Sequence, residues 1–296
     1  MTTTSATPAG RSLRRRLAAS LFRHPKAQLS ALLALPLGWL VVGYLGSLGL
    51  LLVSAFWQLD SFSGNTITDP TLQNFVTLAE SDVYRNVAIR TILIAGLVTA
   101  TDIVLAFPIA YFMARVASPR VRGLLVVSIL LPLWSGYLVK VYAWRLILNE
   151  TGVLNWALAP FGLHGPGYGE VAVWLVMSYL WLPYMILPIY AGLERIPSSV
   201  LEASGDLGAR SGTTFRRVVL PLALPAIAAG SIFTFSLTLG DYITPTLVSG
   251  TQFIGNVVYS NISVNRPLAA AYALVPIVIM IGYLFLARRL GAFEEL

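Results

Sequence analysis

Long runs of apolar residues, separated by short polar segments, dominate the chain. Six runs are long enough to be helices that cross a membrane, since a span needs roughly 20 apolar residues. They cover residues 29–57, 91–113, 124–148, 171–193, 220–246 and 268–287. Hydrocarbon offers the backbone no hydrogen-bond partners, and a helix satisfies its own backbone groups. The pattern therefore predicts an all-α, polytopic membrane protein with six transmembrane helices.

The composition supports a membrane protein and changes the meaning of the net charge. Only 11% of the 296 residues are charged and 56% are hydrophobic, whereas soluble domains carry about 25% charged residues. The net charge of +7 is unevenly distributed, because most arginines lie on one side of the predicted spans. An excess of Lys and Arg marks the cytoplasmic side of a membrane. The distribution predicts cytoplasmic N- and C-termini and argues against a nucleic-acid partner.

The same pattern divides the chain into two parts. We expect residues 1–28 to form a basic cytoplasmic tail and residues 29–290 to form one six-helix transmembrane domain. The segment 195–221 connects the fourth and fifth spans on the arginine-rich side. We therefore expect this segment to be a cytoplasmic loop.

That loop carries the most specific motif of the chain. Glu202-Ala203-Ser204 is followed after three residues by Gly208, and nine residues later by Val218-Val219-Leu220-Pro221. Gly208 lies where a helix of about two turns would end, and glycine favours the left-handed end of a helix. A helix this short is marginally stable alone. We therefore expect it to dock on another protein.

Capping residues extend this prediction in both directions along the loop. Ser199 and Glu202 have the Ser-x-x-Glu spacing of a capping box, which predicts a helix that begins at this point. Ser211 or Thr213 can cap a second helix that runs into the next span. The segment is thus predicted to be a helical hairpin.

The chain lacks the motifs of the common enzyme classes. Its only lysines, Lys26 and Lys140, do not belong to a phosphate-binding Gly-x-x-x-x-Gly-Lys-Ser/Thr loop. The two histidines lack zinc-protease spacing, cysteine is absent, and no Gly-x-Ser-x-Gly nucleophile motif occurs. Asp102 and Asp241 lack the sequence contexts of aspartyl intramembrane proteases. We predict no catalytic residues, no metal and no cofactor, and any ATP hydrolysis must reside in a separate protein.

Two carboxylates inside the predicted spans are candidates for function, because ionisable groups are costly in a membrane. Asp241 has two interpretations: a structural ion pair with Lys140, at a similar depth, or a contact with substrate. Asp102 is expected in a polar contact between helices or in a gate.

Aromatic residues accompany these acids. Trp134, Tyr137, Val141 and Trp144 have the spacing of one helix face, although an interfacial aromatic belt is an alternative interpretation. Aromatic surfaces beside a carboxylate suit organic cations through cation–π attraction. The candidate substrate pathway consists of Asp102, Trp134, Tyr137, Trp181, Tyr184, Asp241 and Tyr242.

The loop motif resembles the cytoplasmic signature of permease subunits in ATP-driven, binding-protein-dependent importers, the MetI-like family of ABC permeases. Residues 131–144 and 149–155, the loop core, and Gly240-Asp241-Tyr242 before Pro245 further resemble spermidine/putrescine permeases. The resemblance implies that the loop couples the permease to the ATPase. The implied coupling residues are Glu202, Ala203, Ser204, Asp206, Leu207, Gly208 and Ala209.

The resemblance also implies the partners and the mechanism. A second permease subunit, two ATP-binding cassette subunits and an extracytoplasmic solute-binding protein would complete the importer in the bacterial inner membrane. The spans would alternate between inward- and outward-facing states. Two alternatives stay open: a sister importer for another small organic solute, and a secondary transporter driven by an ion gradient.

Overall fold

The computed structural model describes residues 25–60 and 62–289 of the chain. The chain divides into a unit that ends at Ser54 and a second unit that begins at Ala55. In the first unit, α1 (Pro25–Gly38), a π-helical segment (Trp39–Leu45) and α2 (Gly46–Ser54) follow one another. Residues 1–24 of the predicted tail lie outside the described residues. The last residues of the predicted tail, 25–28, belong to the start of α1.

The second unit opens with a short hairpin that the all-α prediction did not include. Strand β1 (Gln58–Leu59) pairs antiparallel with β2 (Thr66–Ile67). Helix α3 (Gln73–Glu80) follows. The buried Asn74 amide donates to the backbone carbonyls of Ala55 and Trp57 at 2.9 and 2.7 Å. This side chain fixes α3 against the chain that precedes the hairpin.

Most of the predicted spans are confirmed as long apolar helices. Within the described ranges, five helical stretches have the length and apolarity to cross a membrane, and a sixth candidate is a bent helix pair. Besides residues 32–54, the unbroken stretches are α4 (Asp82–Tyr111) with a π-helical end (Phe112–Val116), α8 (Glu170–Arg195), α10 (Ser211–Thr214) continued by a π-helical turn (Phe215–Val219) and α11 (Leu220–Gly240), and α14 (Arg266–Arg289).

The third span is not the single straight helix that the sequence predicted. Helix α5 (Pro119–Trp134) and helix α6 (Tyr137–Leu148) meet at a bend of 93°. Ser135 and Gly136 adopt extended backbone angles, with ψ of 142° and 137°. The Ser135 hydroxyl donates to the Pro132 carbonyl at 2.8 Å, which is the acceptor that a continuing helix would offer to the Gly136 N–H. The uniform apolarity of the run hid this change of direction.

The fifth span also ends earlier than predicted. Helix α11 stops at Gly240, Asp241 has an extended ψ of 123°, and the short helices α12 (Ile243–Val248) and α13 (Ile254–Asn261) follow. The Asp241 carboxylate accepts the backbone N–H groups of Ile243 and Thr244 at 2.9 and 3.2 Å. A side chain that binds the first N–H groups of α12 favours a new helix start at this point.

The loop after α6 is partly helical. It contains α7 (Val153–Leu158) and a 3₁₀ turn (Ala159–Phe161). The Asn155 side chain donates to the Asn149 carbonyl and accepts from the Gly165 N–H, at 3.0 and 2.7 Å. The loop is therefore ordered by its own side chains.

Helices α4, α8 and α11 form the centre of the second unit. Small residues let α8 and α11 approach closely: a Cβ atom at Gly192 would lie 2.3 Å from the Ala226 Cβ. Likewise, a Cβ at Gly230 would lie 2.9 Å from the Met185 sulfur. Small residues at helix interfaces are typical of membrane proteins, where close van der Waals packing holds helices together.

Candidate functional site

The polar segment between α8 and α11 forms a helical hairpin. Helix α9 (Ser198–Asp206) is followed by its C-cap, Leu207, and by Gly208, which has a φ of +77°. The Gly208 N–H donates to the Gly205 carbonyl at 2.8 Å, and the Ala209 N–H donates to the Ser204 carbonyl at 3.1 Å. This pair of bonds is the Schellman motif, which satisfies the last carbonyls of a helix. The predicted turn at Gly208 is confirmed.

The predicted capping residues of both helices are wrong. Helix α9 begins at Ser198 with Pro197 at the N-cap, and it has no side-chain cap. Ser199 therefore lies inside the helix and cannot form a capping box with Glu202. The fixed φ of Pro197, −65°, suits a helix start, and the helix begins two residues earlier than the capping box predicted. The second helix begins at Ser211 after Arg210, also without a side-chain cap.

The two arms of the hairpin are tied to each other and to α4. The Ser204 and Thr214 hydroxyls lie 2.9 Å apart and share a hydrogen bond. Phe215, at the π-helical turn, packs edge-on against the rings of Phe107 and Tyr111, at centroid distances of 5.5 and 6.3 Å. A displacement of α9 would therefore be transmitted to both α11 and α4.

Two arginines that the sequence analysis did not single out anchor the base of the hairpin. Arg115 donates to the carbonyls of Leu193 and Ile196 at 2.5 and 2.7 Å. Arg122 donates to the Met113 carbonyl at 3.0 Å and also pairs with the Glu194 carboxylate. The Arg115 bonds reach carbonyls at the C-terminal end of α8, where a helix leaves carbonyls without intrahelical partners, and Arg122 links the π-helical end of α4 to α8. Local motif analysis could not predict these contacts, because Arg115 and Arg122 lie far from Leu193, Glu194 and Ile196 in the sequence.

The outer surface of α9 is available for a partner. Glu202, Ala203, Asp206 and Leu207 are exposed, and Leu207 retains 88% of its accessible surface. Across the described residues, neither the Glu202 nor the Asp206 carboxylate has an ion-pair partner. An exposed leucine next to Asp206, together with Glu202 one turn earlier, gives this end of the helix both apolar and acidic side chains.

A second polar cluster lies where the two broken helices meet. The Asp241 carboxylate accepts the Tyr137 hydroxyl at 2.5 Å and the Thr244 hydroxyl at 2.6 Å. With the two backbone N–H groups of α12, it has four hydrogen bonds. The expected ion pair with Lys140 is absent from the salt bridges of the described chain. Asp241 is instead the joint between α6 and α12.

Aromatic rings extend this cluster along α8. The Tyr137 and Trp181 rings stack at 6.0 Å with an interplanar angle of 13°. The Trp181 and Tyr184 rings follow at 6.0 Å and 59°. The structure therefore brings together Tyr137, Trp181, Tyr184 and Asp241, four of the predicted pathway residues. We refer to these four as the aromatic–carboxylate cluster.

The other predicted aromatic residues lie elsewhere. Trp134 is 88% exposed at the end of α5, and the bend that follows it separates it from Tyr137. The single aromatic stripe predicted for this span is thus wrong. Tyr242 stacks on Tyr259 at 4.6 Å, and its carbonyl accepts the Asn256 amide at 2.8 Å. It stabilises the α12–α13 region.

Asp102 is fully buried in α4. Neither carboxylate oxygen has a hydrogen-bond partner in the part of the chain that the structure describes. The polar contact between helices that was expected at Asp102 is formed by its neighbour, because the Trp174 indole N–H donates to the Thr101 hydroxyl at 2.9 Å. Among the described residues of the bundle, Asp102 is thus a fully buried acidic side chain that lacks any hydrogen bond.

Residues 106–292 match the family described as "Binding-protein-dependent transport system inner membrane component". The chain belongs to this family. It is a permease subunit of the ABC importer class and a multi-pass protein of the bacterial inner membrane. The family's role is transport, and a permease subunit is not itself a catalytic enzyme.

Individual relatives agree with this assignment. The chain is 45% identical to the Escherichia coli "Inner membrane ABC transporter permease protein YdcU", with 93% of each chain covered. It is 31% identical to the Haemophilus influenzae "Spermidine/putrescine transport system permease protein PotB", with 74% of this chain and 79% of that one covered. A bacterial alginate ABC transporter, solved in complex with its alginate pentasaccharide-bound periplasmic protein, matches at a TM-score of 0.73 and 19% identity. That match covers 93% of this permease and 97% of the solved chain, and it supports the fold.

Proposed function

We propose that this permease imports small organic cations of the polyamine class, such as putrescine and spermidine. The observation that carries the proposal is the aromatic–carboxylate cluster at the junction of the two broken helices. Aromatic faces beside a carboxylate attract ammonium groups through cation–π and ionic contacts. The 31% identity to a spermidine/putrescine permease supports the same solute class.

Broken helices suit a transport pathway for a physical reason. Backbone that leaves the helical conformation inside a membrane is tolerated where it is buried in protein or lines a cavity. In transporters, such interruptions are typical of substrate sites. The Tyr137–Asp241 bond joins the two interruptions, so a solute that competes for Asp241 would loosen both. We therefore place Asp241 and Tyr137 at the gate of the pathway, Trp181 and Tyr184 along its wall, and Asp102 further along it.

Trp134 and Tyr242 have a different place in the proposal. Trp134 is exposed and is suited to the lipid interface, while Tyr242 supports the α12 region through its stack on Tyr259. We propose that both contribute to the pathway only indirectly.

For the topology, we propose six spans, with the bent α5–α6 pair counted as one, and with both termini in the cytoplasm. Residues 1–28 then form a basic cytoplasmic tail, and 29–290 the permease domain. The arginine-rich ends of α4, α8 and α14 support this orientation through the positive-inside rule. The hairpin within 195–221 is cytoplasmic in this arrangement.

For energy coupling, we propose that α9 docks on one of two ATP-binding cassette subunits. Glu202, Ala203, Asp206 and Leu207 form the contact face, while Ser204, Gly208 and Ala209 hold the hairpin in shape. A second permease subunit completes the membrane pathway, and an extracytoplasmic binding protein delivers the solute. ATP-driven closure of the ATPases would move α9, and the Ser204–Thr214 and Phe215 contacts would pass that movement to the bundle.

Reconstitution tests this function. The complete complex is placed in proteoliposomes with ATP inside and without ion gradients, and uptake of labelled putrescine is measured with the binding protein outside. We expect uptake that requires both ATP and the binding protein. Uptake that needs an ion gradient would instead indicate a secondary transporter. ATP-dependent uptake of other solutes, without polyamines, would indicate a sister importer.

A further inference from the structure

Three side chains of α4 and α8 carry buried polar groups without hydrogen-bond partners among the described residues. They are the two oxygens of Asp102, the hydroxyl of Ser178 and the indole N–H of Trp181. Asp102 is 0% exposed and Ser178 is 7% exposed. A buried polar group without a partner costs free energy, and a charged one costs most. A group of three is therefore unlike ordinary helix packing.

Contacts between α4 and α8 place Asp102 along the bundle. On α4, Asp102 lies one turn after Val98 and one turn before Ala106. Val98 belongs to an apolar cluster with Val176 and its neighbours on α8, while Ala106 belongs to a cluster with Met185 and its neighbours. The Trp174 indole on α8 donates to the hydroxyl of Thr101, the residue before Asp102, at 2.9 Å. Ser178 lies one turn and Trp181 about two turns after Trp174 on α8. Asp102 therefore lies between the two apolar clusters on α4, next to a contact with this part of α8.

A neighbouring subunit cannot supply the missing partner to this carboxylate in the conformation described. The side chain is already enclosed by its own chain, so a second permease that packs on the outside does not reach it. The partner must instead reach the carboxylate from inside the bundle, in a state in which α4 and α8 separate. Small ligands that move along the bundle can reach the carboxylate in this way.

We infer that Asp102 and Ser178 form an occluded subsite for the ammonium group of the transported cation, and that Trp181, itself a member of the aromatic–carboxylate cluster, is the wall between the subsite and the rest of that cluster. This subsite rests on the proposed function and adds a second station to it. An ammonium group offers three N–H donors and no acceptor, which suits a carboxylate and a hydroxyl oxygen. One face of Trp181 already stacks on Tyr137, so the ring contacts the first station directly.

The test compares Asp102→Asn and Ser178→Ala with a matched control, Thr99→Val, in the complete reconstituted complex. Thr99 is also buried in α4, but its hydroxyl donates to the Ala95 carbonyl at 2.7 Å. We expect Asp102→Asn to lower putrescine uptake by about tenfold or more, the loss expected for one hydrogen bond to a charged group. Ser178→Ala should cause a smaller loss, and Thr99→Val should stay within about twofold of the wild type.

Stability supplies the second measurement. A carboxylate with no partner loses no contact when it becomes an amide, so Asp102→Asn should assemble normally and melt at the same temperature or higher. Failed assembly would overturn the subsite, because Asp102 would then be structural. Uptake by Asp102→Asn that equals the wild type would overturn it as well.

Transport by the wild-type complex distinguishes a failure of this inference from a failure of the proposed function. If the wild type imports putrescine and Asp102→Asn does so equally well, only the subsite fails. If the wild type does not import any organic cation, the proposed function fails and the subsite fails with it.

Discussion

Tyr137 contributes to the site in two separable ways. Its ring stacks on Trp181, while its hydroxyl donates to Asp241 at 2.5 Å and lies 2.8 Å from the Thr244 hydroxyl. In the proposed function, the ring provides a surface for a cation. The hydroxyl holds α6 against the start of α12, so it determines how firmly the two broken helices are joined.

Substitution of Tyr137 by Phe removes only the second contribution. Hydrogen bonds to charged groups are worth roughly 1.5–3 kcal/mol, so we expect Tyr137→Phe to lower the free energy of unfolding by about this amount. Thermal unfolding of the purified complex measures the change. Substrate-stimulated ATP hydrolysis should begin at a higher polyamine concentration, because the gate no longer closes in one defined geometry.

Tyr242→Phe is the matched control for this experiment. The Tyr242 ring stacks on Tyr259 of α13, and its hydrogen bond to α13 is accepted by its backbone carbonyl. Removal of the hydroxyl should change the unfolding free energy by less than about 0.5 kcal/mol. Equal losses in the two variants would contradict a special role for the Tyr137 hydroxyl.

Single residues also show which local signals the sequence could reveal. Gly208 was predicted as a left-handed helix end, and it has a φ of +77°, because glycine is favoured at that position. The capping box at Ser199 failed because Pro197 starts the helix earlier. The bond between Tyr137 and Asp241 spans 104 positions, so no local pattern could predict it.

At the scale of elements, the apolar pattern identified the helices but not their direction. Both interrupted spans continue an apolar run through a short polar step, Ser135-Gly136 in one and Gly240-Asp241 in the other. A hydrophobic run indicates that a segment lies in the membrane and does not report a bend within it. Pro132, three residues before Ser135, was the available signal for the first break.

The interface between α8 and α11 depends on the absence of a side chain at Gly192. A Cβ at this position would lie 2.3 Å from the Ala226 Cβ, far inside normal contact distance. We expect Gly192→Ala to force the helices apart and to cost roughly 1–3 kcal/mol of unfolding free energy. The loss should appear as a lower melting temperature and as slower uptake, since α8 leads directly into α9.

Gly96→Ala serves as the control for this interface. Gly96 lies in the middle of α4, and a Cβ there would meet no atom within 4 Å. Alanine is the better helix former by about 1 kcal/mol, so this variant should be as stable as the wild type or more so. A similar loss in both variants would show that the effect comes from the glycine backbone and not from the close approach of α8 and α11.

At the scale of the whole molecule, the sequence was sufficient to predict the family but not to predict the transported solute. The loop motif and the spans lead to the importer class, which the family match over residues 106–292 confirms. In the proposed function the solute is recognised by Tyr137, Trp181 and Asp241, which converge from α6, α8 and the junction between α11 and α12. Their convergence required the two helix breaks, which the hydrophobic pattern did not contain.

In the proposed function α9 docks on the ATPase, and Leu207 offers a direct test of that contact. Leu207 is 88% exposed at the end of α9, beside Asp206, whose carboxylate has no ion-pair partner among the described residues. Apolar residues buried at the centre of an interface commonly contribute more than about 1 kcal/mol to binding. We therefore expect Leu207→Ser to weaken ATPase binding by about fivefold to tenfold and to uncouple ATP hydrolysis from the binding protein.

Leu163→Ser, at another exposed leucine in the loop after α6, should leave both measurements unchanged, because the proposed topology places that loop on the opposite side of the membrane. If Leu163→Ser weakens the ATPase and Leu207→Ser does not, the orientation of the whole chain is reversed.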